Sequence, residues 1–155
     1  MLVQRIQSGT VIDHIPVQLG LVVLRLLGEP QKIGARVALV INATSTKMGK
    51  KDILKIEGVE LRAPETQKLA LVAPQATVNI IRDYKVAEKI TVVPPERVSG
   101  VLVCPSSTCI STRRGEPIQG EFILKSRKPL VYTCVYCGSR ISQSHIVAQL
   151  GGSQV

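Results

Sequence analysis

Four cysteines in the last third of the chain constrain its fold more than any other feature. They form two pairs, Cys104 and Cys109 in V-L-V-C-P-S-S-T-C and Cys134 and Cys137 in Y-T-C-V-Y-C-G, with four and two residues inside the pairs and 24 between them. Each pair can close a tight knuckle that aims two sulfurs at one point, which together make a tetrahedral S4 set. Zinc suits such a set because a d¹⁰ ion imposes no geometry of its own and thiolate softness selects it over magnesium or calcium. With four sulfurs bound, no position stays open for water, so the expected ion is structural, one per chain. Zinc ribbons usually place two to four residues between paired ligands and about 15 to 20 between pairs, so this spacing is slightly stretched. Two disulfides are the competing reading, and an iron site is a third. Disulfides require an oxidising compartment. The start, M-L-V-Q-R-I-Q-S-G, lacks the charged segment and long apolar run of a secretory leader, so the expected location is cytoplasmic.

A chain of 155 residues can form one domain or two small ones, and a mean hydropathy above zero lets it bury a core. No apolar run reaches the roughly 18 residues of a membrane span. The longest candidate, Val17 to Leu27, is cut by Gly20 and Arg25. The formal charge of +9 falls to about +7 once four thiolates hold a divalent ion, and the excess points to an anionic partner. Only Phe122, Tyr84, Tyr132 and Tyr136 are aromatic, which is poor equipment for stacking single-stranded bases. A basic zinc-ribbon protein binding nucleic acid is therefore the second choice. Catalysis has little to stand on: the histidines are His14 and His145, no phosphate-binding glycine motif or serine-nucleophile motif occurs, and zinc would occupy every thiol.

Taken in order, Leu2 to Gln7 alternates weakly and predicts a first strand. Asp13-His14-Ile15-Pro16 resembles a helix entry, with Asp13 as its cap, followed by Leu19, Val22, Val23, Leu26 and Leu27 at helical spacing. Ala35 to Ala43 and Lys51 to Val59 read as strands, Pro64 opens a second helix that Pro74 ends, and Ala76 to Ile81 and Val86 to Val93 are further strands. The order is that of a ferredoxin-like split βαβ sandwich with an extra terminal strand, in the α+β class. Pro94-Pro95 breaks the pattern, giving expected domains 1–97 and 98–155. The second is β-rich and zinc-ribbon-like, with strands at Phe122 to Lys125 and Leu130 to Thr133 and a closing segment, Ile141 to Leu150, whose type stays open. A piece this small usually needs its metal to fold.

The first domain carries a candidate anion site: Lys50, Lys51, Lys55 and Lys89, with His14, would suit a triphosphate as point charges. A solvated basic face is the plainer reading of the lysines. Asn79 could read a base or close a turn.

Five segments together resemble the regulatory chain of aspartate carbamoyltransferase: Thr10 to Pro16 (T-V-I-D-H-I-P), Met48 to Asp52 (M-G-K-K-D), Ala73 to Asn79 (A-P-Q-A-T-V-N), Pro95 to Arg97 (P-E-R) and Val101 to Pro105 (V-L-V-C-P). The match runs in register from about Val3 to about Val147. It implies a non-catalytic subunit of the enzyme that opens pyrimidine synthesis. The first domain would pair with a second copy and bind CTP or ATP, with UTP a third candidate effector. The zinc domain would dock on catalytic trimers. By the same resemblance Asp13, Lys55 and Tyr84 would lie near base and ribose, main-chain groups of Ile6 and Tyr84 would read the base, and Lys89 and His14 would meet the phosphates. Val11, Lys51, Asn79, Ile81 and Val86 would line the same pocket, and Ser106 to Thr108 and Val135 to Gly138 would face the catalytic chain.

Overall fold

Thr10, Val11, Ile12 and Ile15 belong to one strand, β1 (Gly9–Ile15), and the first half of the molecule is built around it. The computed structural model describes residues 5–115 and 117–151, and contacts divide the chain into the units Met1–Val93 and Pro94–Val155. The strand expected at Leu2 to Gln7 is corrected: residues 1–4 lie outside the described residues, Arg5 to Ser8 is not strand, and β1 begins at Gly9. The β-branched run wins because Thr10, Ile12 and Ile15 are fully buried. Gly9 is required where it stands, since a Cβ there would lie 2.1 Å from the carbonyl oxygen of Ile56.

The first unit continues with α1 (Gly20–Leu26), β2 (Val37–Ser45), β3 (Gly49–Glu57), α2 (Glu65–Val72), β4 (Thr77–Arg82) and β5 (Lys85–Thr91). The antiparallel sheet order is β2-β3-β1-β4-β5. That is the split βαβ sandwich with β5 added outside β4, as the sequence pattern predicts. Ile12, Leu54, Ile56, Val78 and Ile80, all without exposed surface, form the inner face. Alternation sends Val11, Asp13, Lys55, Asn79 and Ile81 to the opposite, open face.

Asp13 does not cap a helix. It sits in a β-bulge where the register of β1 against β3 slips between Ile12 and Ile15, and His14 there has a φ of 60°. The cap of α1 comes from Asp52 on β3, whose Oδ2 accepts the Gly20 N–H at 2.9 Å.

The second unit holds β6 (Arg97–Ser99), β7 (Glu121–Arg127), β8 (Leu130–Cys134) and β9 (Arg140–Ser142) in one antiparallel sheet in that order, followed by α3 (Gln143–Leu150). The segment left open therefore resolves into a short strand and a helix. The division falls after Val93, ahead of the expected boundary, because Arg97 lies on β6 opposite Ile123 and ion-pairs with Glu121. Phe122, Tyr132 and Ile141 pack without exposed surface, with Ile146 of α3. The Tyr132 hydroxyl donates to the Pro95 carbonyl at 2.6 Å, and burial pushes its pKa up to about 12. No helix among the described residues is long and apolar enough to cross a membrane.

Candidate functional site

Strand registry puts four side chains in one row across the open face of the first sheet. Lys55 pairs with Val11, Val11 with Asn79, and Asn79 with Lys89. Neighbouring strands are about 4.8 Å apart, so the two lysines flank the row across about 14 Å. The β4–β5 turn closes one end: Asp83 and Tyr84 both have positive φ, 56° and 66°, and the Tyr84 N–H donates to the Gln7 carbonyl at 2.9 Å. A cavity of about 570 Å³ opens here, lined by Ile6, Val11, Asp13, Lys55, Asn79, Ile81, Tyr84, Val86 and Lys89, together with Arg5 and Lys85. A volume of this size is in the range of small-molecule sites.

Nine of the eleven residues singled out for nucleotide contact thus meet in one place. His14 and Lys51 are not among the lining residues. The bulge aims the His14 ring at Thr77, with Nδ1 3.2 Å from Oγ1. Lys51 pairs with Asp13, its Nζ 3.0 Å from Oδ1, so it fixes and neutralises the one carboxylate in the lining. Lys50 sits opposite Thr44 on the far side of β3 and also stays out of the lining. Arg5 and Lys85 are not among the residues that the resemblance places in the pocket, yet both line it. Their only signal is adjacency to Ile6 and Tyr84. Arg5, Lys55, Lys85 and Lys89 against one ion-paired carboxylate give the lining a net positive charge, with apolar Ile6, Ile81 and Val86 beside them.

In the second unit all four sulfurs lie within 4.8 Å of one another. Cys104 Sγ is 3.5 Å from Cys137 Sγ, and Cys109 Sγ is 3.7 Å from Cys134 Sγ. A tetrahedron with metal–sulfur bonds of about 2.3 Å has edges of about 3.8 Å, whereas a disulfide needs about 2.05 Å. The residues therefore fit a tetrathiolate metal ion. Cys104, Cys109 and Cys134 are buried and Cys137 is exposed. The local field is uneven: burial pushes the Cys104 thiol up to about 12, while the Ser139 hydroxyl brings Cys137 down to about 6 and the Ser111 hydroxyl lowers Cys109. Near the knuckles Val135 and Tyr136 stand exposed, as do Ser107 and Thr108.

The two units match two family models in order: the aspartate carbamoyltransferase regulatory chain allosteric domain over residues 1–93, and the metal binding domain of the same chain over 96–147. An aspartate carbamoyltransferase regulatory chain of Hyperthermus butylicus is 50% identical over 150 residues, covering 97% of this chain and 94% of that one. Those of Methanopyrus kandleri and Staphylothermus marinus are each 50% identical as well, over 145 and 138 residues, covering 93% and 89% of this chain and 92% and 84% of theirs. With both models matched in order and half of all positions identical across nearly the whole length, the chain belongs to the family of aspartate carbamoyltransferase regulatory chains.

Proposed function

We propose that this regulatory chain, itself non-catalytic, senses nucleoside triphosphates in the cavity on the open face of its first sheet and passes the outcome to a catalytic chain of aspartate carbamoyltransferase. The observation that carries this reading is the meeting of Lys55, Val11, Asn79 and Lys89 in one row, with Asp13 and Tyr84 beside them. Lysine ammonium groups on either side supply point charges for phosphates. The Tyr84 ring and the apolar side chains of Ile6 and Val86 give a base a surface to lie on. Asn79 donates to the Val11 carbonyl at 3.4 Å, long enough to be exchanged for a ligand acceptor.

CTP and ATP are the expected effectors, with UTP a third. They share phosphates and differ in base, so only contacts at the Ile6–Tyr84 end can distinguish them. An effector can shift a quaternary equilibrium only by its difference in affinity for the two states. The second unit is proposed to hold one structural zinc, whose four thiolates would stiffen the knuckles that present Ser106 to Thr108 and Val135 to Gly138 to the catalytic trimers. Self-association of the first unit as a dimer completes the assembly. Calorimetric titration of the full chain with CTP and then ATP tests the reading. It expects saturable, mutually exclusive binding of both. A chain that binds neither, with correct fold and metal content, overturns it.

A further inference from the structure

The second cysteine of each knuckle carries the same three-residue pattern, Cys109-Ile110-Ser111 and Cys137-Gly138-Ser139. In both, the serine hydroxyl returns to its own cysteine: Ser111 Oγ is 3.1 Å from Cys109 Sγ, and Ser139 Oγ is 3.1 Å from Cys137 Sγ. Spacing alone does not produce this contact. Cys104-Pro105-Ser106 has the same spacing, yet Ser106 Oγ turns to Thr108 Oγ1 at 3.1 Å.

We propose that Ser111 and Ser139 are working parts of the metal centre, donating hydrogen bonds to two of its four thiolates and thereby setting how tightly the ion is held. The inference rests on the reading of the four cysteines as a metal site. Between Cys109 and Ser111 either atom can donate, and between Cys137 and Ser139 the thiol is placed to donate to Oγ. A metal-bound thiolate has no proton, so with an ion held the rotatable hydroxyl is the donor at both contacts. Four thiolates around a divalent ion leave a formal double negative charge, and a hydroxyl donor withdraws part of it from the sulfur it touches. Ser139 carries the larger share, because Cys137 is the one exposed ligand and the sulfur from which an ion can be lost to solvent or taken by a chelator.

The test uses the full chain loaded with zinc and titrated against a chelator of known affinity, with a parallel cobalt-loaded sample read by absorption. Ser139→Ala is expected to lower zinc affinity about tenfold, the lower end for lost outer-shell partners, and Ser111→Ala to lower it by a smaller factor. Ser106→Ala, whose hydroxyl touches no sulfur, is expected to match the parent. The sulfur-to-cobalt charge-transfer band should move to lower energy in the two affected variants, because a thiolate relieved of its hydrogen bond donates more readily. Parental affinity and an unmoved band in both alanine variants overturn the proposal. Should an alanine chain not fold, Ser139→Thr and Ser139→Val decide, since they share a shape and differ in the hydroxyl. Lower affinity in the valine variant supports the proposal, and equal affinity overturns it. A parent chain that takes up no metal in the same assay instead overturns the metal reading itself.

Discussion

The carboxylate of Asp52, 1% exposed, joins two elements to the central strands: Oδ2 accepts the N–H of Gly20, the first residue of α1, at 2.9 Å, and Oδ1 accepts the N–H of Asn42 in the bulge of β2 at 3.1 Å. A larger residue at Gly20 would push the carboxylate away, since a Cβ would stand 2.8 Å from both Asp52 Oδ2 and Leu39 Cδ1. Asp52→Ala leaves two N–H groups without an acceptor, at a cost of about 3 kcal/mol. Thermal unfolding of the full chain should show the first unit melting earlier, with Asp52→Asn affected less because it keeps one acceptor oxygen. An unchanged melting curve for Asp52→Ala would show that water replaces the carboxylate at both sites.

Lys89 lines the cavity while Lys51 stays out of the lining and holds Asp13 by an ion pair, so their removal should differ in degree. Lys89→Ala is expected to weaken CTP binding about tenfold, or about 1.4 kcal/mol, without changing metal content. Lys51→Ala should weaken it less, by leaving the Asp13 carboxylate unpaired and facing an anionic ligand. Titration of both variants with CTP checks the order. Unchanged affinity in Lys89→Ala counts against the phosphate assignment.

What could be read from the sequence was whatever local spacing encodes. Metal ligation needs pairs of thiols a few residues apart, so Cys104, Cys109, Cys134 and Cys137 stood out at once, and alternation with helical spacing gave the order of strands and helices from Ala35 onward. The first strand is hidden from local pattern because the bulge at Asp13 and His14 puts buried Ile12 and Ile15 three residues apart. That spacing breaks the period of two and, next to Pro16, imitates a helix entry. The true helix cap, Asp52, lies 32 residues from Gly20, beyond any local pattern. Arg5 and Lys85 reach the cavity only through the Tyr84–Gln7 hydrogen bond and the sheet registry, which no short motif records.

Cys109→Ser removes one of four thiolates from a unit whose core is small. A structural zinc contributes on the order of 10 to 16 kcal/mol to such a domain, comparable to its whole stability. The variant is expected to contain no metal, to lose the folded signals of residues 94–151, and to lose association with catalytic chains. The first unit has its own sheet and core, so CTP binding should persist. Metal analysis, gel filtration with a catalytic chain and nucleotide titration together check this, and retained assembly refutes the docking role.

At the edge of the first sheet Glu88 receives Arg62 at 2.9 and 2.8 Å, and Arg82 joins both Glu88 and Glu60. Hydrogen bonds from Arg62, aided by the charges of Arg62 and Arg82, hold the Glu88 carboxyl down to about 2 from its usual 4.5. Its folded pKa is depressed, so the stability it contributes is present above about pH 4.5 and is lost as pH falls toward 2. Glu88→Gln should therefore melt below the parent at pH 7, by a small margin because all four side chains of the network remain substantially open to solvent. The gap should close on acidification through that window, and also in high salt. A gap that persists at low pH would mean that the side chain acts by shape and not by charge.

Tyr84 stands where the turn chemistry asks for glycine. A two-residue hairpin with positive φ at both positions favours Asn-Gly, and here Asp83 and Tyr84 adopt φ of 56° and 66°. A bulky residue in that region costs of order 1 kcal/mol or more. The ring recovers none of this by core packing, since Tyr84 is 53% exposed, but it does line the cavity. Strain kept at a cavity-lining position implies a trade between stability and binding. Tyr84→Gly should raise the melting temperature of the first unit and weaken CTP and ATP binding. Tyr84→Ala removes the same ring without relieving the backbone, so it should weaken binding equally and bring no gain in stability. If the glycine variant is stabilised and binds both nucleotides as the parent does, the ring has no part in recognition, and the base must be held by main-chain groups of Ile6 and residue 84 alone.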